Sequence, residues 1–188
     1  MYEKGAKKGE LGMDDGRDYA MYASVFGLFS FSWFGWAQEN PPKSWRLYLG
    51  IAAGIAMLVC LFGVYSSIRN WDAPSALDEA GSFQGYLISV YAEVLLGGLG
   101  AFYLIATRRS AYVSAWIAFV VGIHFFGLAG VFDDWSLHVL AVLLVAVSLA
   151  AAILSRRLKL AVSALTGIGS GTALLAFGLL GLIRFLMA

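Results

Sequence analysis

The sequence predicts an all-α integral membrane protein, a bundle of six transmembrane helices with short loops and almost no soluble part. Three observations lead there. Of the 188 residues, 60% are hydrophobic and 13% charged, against roughly 25% charged in an ordinary soluble domain. Apolar runs long enough to cross a ~30 Å hydrocarbon core recur along the whole chain. Those runs, such as Val139-Leu140-Ala141-Val142-Leu143-Leu144-Val145, lack the apolar–polar alternation of a membrane β-barrel strand. Helices also satisfy their own backbone hydrogen bonds, which lipid cannot do.

Residues 1–18 read as a polar tail of mixed charge, carrying Gly5, Gly9, Gly12 and Gly16. The tail has no apolar core of the kind a signal peptide needs, so a flexible or surface-lying segment is expected, with targeting left to the first helix. Residues 19–188 form one membrane domain with spans at about 19–37, 47–68, 86–106, 111–131, 136–154 and 160–183. Pro41 and Pro42 stop the first span, because consecutive prolines cannot continue a helix. Arg69 to Gly85 is the longest connection. Thr107 to Ser110, Asp133-Asp134 and Ser155 to Lys159 are the remaining turns.

Six spans place the first, third and fifth connections on one side. These hold Lys43, Arg46, Arg108, Arg109, Arg156, Arg157 and Lys159, whereas the second and fourth hold Arg69 alone. Short basic loops stay in the cytoplasm. The expected location is therefore the cell membrane, with loops 1–2, 3–4 and 5–6 cytoplasmic and both termini outside. The tail bases Lys4, Lys7, Lys8 and Arg17, with Arg184, pull the other way, but acids are interspersed among those of the tail. Trp36 and Trp45 at the inner face and Trp71 and Trp135 at the outer face suit the interfacial preference of indole.

Small residues four apart make grooves where a second helix approaches closely. Gly50 with Gly54 and Gly167 with Gly171 have this spacing, and Gly97 and Gly100 thin the third helix. Helix packing within the chain is the expected use, with a homo-oligomer or larger complex as the alternative.

Two titratable residues lie well inside spans, Glu93 in the third and His124 in the fourth. A bare charge in hydrocarbon costs several kcal/mol, so such residues face the bundle interior and find partners. Ser89, Gly97 and Gly100 share a helical stripe with Glu93. Glu93 precedes the Arg108–Arg109 turn by about 15.5 residues and His124 follows it by the same distance, which at ~1.5 Å per residue puts both at one depth, ~10 Å below the outer surface. Contact between them is expected, directly or through one water. The pair would be a candidate for proton coupling, since burial favours neutrality and proximity favours charge; the bland alternative is a structural hydrogen bond. Asp72, Asp133, Asp134 and His138 are candidates for an outer mouth that gathers cations. Ser163, Thr166, Gly167 and Ser170 form a second polar stripe on the sixth helix, which is packing unless it faces Glu93.

Other chemistry is poorly served. His124 and His138 differ in depth by ~7 Å, which does not suit two axial ligands of one haem. A metal bound by His124, Glu93 and an outer aspartate is a lesser alternative, and neither metal nor cofactor is assigned. No catalytic residue is assigned, because no Ser/His/Asp or Cys/His set assembles, so an enzyme is the less favoured class. Cys60 is the single cysteine and a formal net charge of +1 offers nothing to nucleic acid. The function expected is a small proton-linked transporter or channel-like protein using Glu93 and His124, with the lipid bilayer as its surroundings. The alternative is a non-catalytic accessory or assembly subunit of a larger membrane complex.

Overall fold

The computed structural model describes residues 16–188. The polar tail falls outside them, except that Gly16, Arg17 and Asp18 are helical and open the first helix. Six α-helices follow in order: α1 Gly16–Ala37, α2 Arg46–Arg69, α3 Ser82–Ala106, α4 Val113–Val131, α5 Trp135–Leu158 and α6 Val162–Met187. Five of them, α2 to α6, are long and apolar enough to cross a membrane. The first is long enough but less hydrocarbon-like, because it mixes Ser24, Ser30 and Ser32 with a dense run of Tyr, Phe and Trp.

That composition fits where α1 sits. It packs along its length between α2 and α6, making it the central helix of that half of the molecule. α5 packs on α4 and α6, and α4 carries α3 on its far side. Tyr22, Phe26, Trp33, Phe125, Leu128, Leu137, Leu140, Leu144 and Leu174 make the main core, where α1, α4, α5 and α6 meet. Peripheral α3 buries Gly97 alone.

Close approach between helices is set by glycines, though only some of those the spacing suggests. A Cβ at Gly27 would lie 2.6 Å from the Cys60 amide nitrogen, and one at Gly167 would lie 2.6 Å from the Trp33 carbonyl oxygen. Gly171 accepts the Phe34 ring at 2.9 Å from the same hypothetical atom, and Gly63 admits the Ala23–Ser24 backbone. On the α3–α4 seam, Gly97 faces Ile117 and Gly100 lies under the Trp116 indole, whose Nε1–H donates to the Leu96 carbonyl at 3.1 Å. Gly50 and Gly54 are different, since a Cβ at either would meet no atom of another described residue within 4 Å. The face of α2 that meets α1 carries Leu49, Ala53, Ala56, Cys60 and Gly63, and at 100° per residue Gly50 and Gly54 turn away from it. The expectation that they pack within the chain is corrected accordingly.

The fifth helix runs further than the sequence suggests. Ser155, Arg156, Arg157 and Leu158, read as a loop, form the last turn of α5. Arginine is a good helix former and its charge is favourable at a helix C-terminus. Lys159, at φ 54°, then ends the helix in the left-handed region, as Arg108 (φ 58°) does after α3 and Asp133 (φ 47°) after α4. Each such residue costs ~1 kcal/mol but turns the chain within very few residues.

The long second connection is tied down rather than loose. Buried Asp18 accepts hydrogen bonds from the Ser75 hydroxyl and the Ala76 amide, both at 2.7 Å. Arg17 donates to the Ala73 carbonyl at 3.2 Å, approaches Asp78 at 3.9 Å and lies over the Trp71 ring. Asp78 and Ser75 close a capping box around the 3-10 turn Ala76–Asp78. At the same end of the molecule Asp134 caps α5 through the Ser136 amide at 2.8 Å and pairs with Arg184 at 2.8 Å.

Candidate functional site

The α3–α4 hairpin keeps a regular antiparallel register about its Arg108–Arg109 turn. Gly85 faces Val131, Ser89 faces Gly127 and Gly97 faces Ile117. That register brings Glu93 and His124 together, with Nε2 of His124 3.4 Å from Oε2 of Glu93. The separation is an ion-pair distance, longer than the ~2.9 Å of a short hydrogen bond.

Ser89, one helical turn before Glu93, holds the other side of the imidazole. His124 Nδ1 lies 3.1 Å from the Ser89 carbonyl and 2.9 Å from its hydroxyl oxygen. The carbonyl can only accept, so the tautomer that satisfies it carries the hydrogen on Nδ1. The hydroxyl lies 3.5 Å from the His124 carbonyl, to which it donates. Gly127 makes room for this arrangement, since a Cβ there would meet the Ser89 hydroxyl at 3.0 Å. With Nδ1 turned to Ser89, Nε2 is the nitrogen that faces Glu93. One proton between Oε2 and Nε2 gives either a neutral acid beside neutral imidazole or a carboxylate beside imidazolium. Both states have zero net charge, and loss of that proton leaves one negative charge inside the bundle.

The pair lines a cleft of about 480 Å3 between α1, α3 and α4, with Leu174 of α6 at its back. Volumes of ~300–1,000 Å3 are typical of small-molecule sites. The α1 wall carries Tyr22, Val25, Phe26, Phe29, Trp33 and Trp36. α3 contributes Tyr86, Val90, Glu93 and Val94, and α4 contributes Ile117, Val121, His124, Phe125 and Leu128. Leu77 and Phe132 also line it. The side chain of His124 is 8% exposed and that of Glu93 26%, so the carboxyl faces the cleft with the imidazole behind it. Glu93, Val94, Ile117 and Val121 also border a second, smaller cavity of about 140 Å3 that reaches Gly97 and Gly98.

The cleft is open at the side. α1 and α3 are not packed on one another, and the lining residues Val25, Phe29 and Val94 are 42%, 50% and 67% exposed. Ring contacts brace the aromatic lining: Phe26 meets Phe125 edge-on at 5.6 Å, Tyr22 meets Phe132 at 5.5 Å, and Trp33 stacks on Trp36 at 5.3 Å.

The residues read as an outer mouth do not gather above the pair, and none of Asp72, Asp133, Asp134 and His138 lines the cleft. Asp72 and Asp133 are exposed. Asp134 is engaged by the Ser136 amide and Arg184. His138 is exposed and its ring lies 5.8 Å from that of Phe126. The stripe on α6 also lies elsewhere, with Ser163, Thr166 and Ser170 buried away from the cleft. Among the described residues no group of three or more His, Cys, Asp and Glu is placed to hold a metal ion. Comparison with known protein families, with curated proteins and with solved structures finds no match for the chain.

Proposed function

We propose that this is an integral membrane protein of the cell membrane that binds a small solute in the α1–α3–α4 cleft and couples that binding to proton exchange at Glu93 and His124, as a proton-linked transporter does. The observation that carries the reading is a carboxyl–imidazole pair whose carboxyl faces a cleft of solute size while its imidazole is fixed from behind. A structural hydrogen bond would need neither the cleft nor the exposure of Glu93.

All six helices cross the bilayer in this reading. α1 is included because it packs between α2 and α6 from Tyr19, against Gly181, to Ala37, against Gly167, so its ends are level with theirs. The loops carrying Lys43, Arg108, Arg109 and Lys159 face the cytoplasm. The Lys and Arg of the short connecting loops support that sidedness. At the opposite end Arg17 has Asp78 and Arg184 has Asp134 as acidic partners. Among the described residues Arg156, at the basic end, donates to the Tyr112 hydroxyl. The exposed apolar side chains of α3 are covered by lipid in this arrangement, so they do not favour an accessory subunit.

Proton uptake by purified protein, followed with an indicator dye in weakly buffered detergent solution, tests the proposal. On acidification, wild-type protein is expected to take up about one proton more than Glu93→Gln. Equal uptake by the two proteins would contradict proton exchange at the pair.

A further inference from the structure

We infer that the cleft takes a lipophilic monocation, a single-chain amphiphile with an ammonium-type head, received sideways from the bilayer and exchanged for the proton of the Glu93–His124 pair. The inference rests on the proton-exchange reading above and adds the chemistry of the solute.

Shape, charge and access support it separately. The α1 wall runs from Tyr22 to Trp36, ~21 Å at the helical rise. Spread over that length, a cleft of about 480 Å3 is a slot longer than it is wide, the shape that takes an extended chain. The pair lies toward the outer end of the slot, level with Phe26, which touches Phe125. A head at Glu93 therefore leaves most of the apolar slot for a chain running inward past Trp33.

The charge balance selects a cation. Among the described residues no Lys or Arg lines the cleft, so an anionic head would meet Glu93 with none of them to neutralise it. A neutral head leaves the pair its proton and gives no reason for the carboxyl to face the cleft. A cation restores zero net charge after the proton leaves, which is the condition a buried site must meet. Phe26, Phe29 and Trp33 on the facing α1 wall add the aromatic surroundings that favour organic cations. Access is lateral because the exposed lips Val25, Phe29 and Val94 open between α1 and α3, whereas Leu77 and Phe132 line the cleft's outer end.

Few other groups could set the pH response. The titratable side chains facing the pair are Tyr22 from α1 and Tyr86 from α3; α6 offers Leu174 and the Ala76–Asp78 turn offers Leu77. Arg184, already paired with Asp134, lies over the ring of Tyr19, beyond Tyr22.

The test uses full-length protein in lipid nanodiscs and three probes of equal chain length: decyltrimethylammonium, decanol and decanoate. Binding is measured by calorimetry against protein-free discs, and proton release with a dye. Decyltrimethylammonium is expected to bind saturably, at least tenfold more tightly than either control, releasing about one proton per cation. Glu93→Gln should lose that release and at least tenfold in affinity. In wild-type protein the affinity should fall about tenfold per unit of pH once the pair is protonated, as one-for-one competition requires; this last readout does not depend on any variant folding. Decanol binding as tightly as the cation, cation binding without proton release, or an affinity insensitive to pH would overturn the inference. If the cation fails while wild-type protein still takes up its extra proton relative to Glu93→Gln, the solute class is wrong and proton exchange stands. If that extra proton is missing as well, both fall.

Discussion

His124 is held at both nitrogens, and the two contacts differ in kind. Ser89 fixes Nδ1 through a backbone carbonyl at 3.1 Å, a partner that neither titrates nor swings away. Glu93 meets Nε2 at 3.4 Å through an ionisable carboxyl. A fixed nitrogen on one side and an exchangeable one on the other is what lets a histidine pass a proton without losing its orientation. Interacting residues should be non-additive on removal. Glu93→Leu is expected to destabilise by roughly 1–2 kcal/mol, the upper range for intramembrane polar contacts, and Glu93→Gln by less. Adding His124→Phe to Glu93→Leu should recover part of the loss, read as unfolding free energies in a denaturing detergent titration. Strict additivity would mean the contact contributes nothing. The shared depth of this pair was legible in the sequence because helical rise and a tight turn fix it. Their common face was not, since azimuth depends on how α3 seats on α4, which Gly97 and Gly100 decide by admitting Ile117 and Trp116.

At the level of helices, the glycines separate real seams from apparent ones. Gly27 and Gly63 admit backbone from the neighbouring helix, whereas Gly50 and Gly54 face open space. Gly63→Ala is therefore expected to cost at least the ~1–3 kcal/mol of overpacking a close contact. Gly54→Ala should be neutral or raise stability by up to ~1 kcal/mol from helix propensity, because nothing stands in the way of its methyl. Thermal unfolding of the two variants side by side checks this, and equal losses would refute the assignment of faces. Spacing alone suggested the Gly50–Gly54 groove and passed over Gly27 and Gly63. A four-residue interval marks a possible groove but does not say which face meets a partner. The start of α1 was missed for another reason. Arg17 and Asp18 look like the end of a polar tail, and their value appears only when Ser75, Ala76 and Ala73, more than fifty residues later, close on them.

Across the whole molecule, the number and order of helices followed from the lengths of the apolar runs and the polar breaks between them. The cleft did not, because it lies between α1 and α3, which are not packed on each other, and its existence depends on α1 seating between α2 and α6. The proposed six-span arrangement would place the Arg108 and Asp133 turns on opposite sides of the bilayer. Single cysteines at those turns should react with an impermeant thiol reagent from opposite faces of sealed vesicles, while native Cys60, buried at the α1–α2 seam, contributes little background. Reaction of both turns from one face would end the arrangement.

The central claim is that Glu93 exchanges a proton while packed against His124, and infrared difference spectroscopy of the protein in lipid observes that carboxyl directly. As the pH rises, a protonated-carboxyl band should diminish in wild-type protein. It should be absent from Glu93→Gln and change its pH dependence in His124→Phe. A carboxyl signal that is the same in wild-type and Glu93→Gln protein, or one that does not respond to loss of the imidazole, would contradict the account.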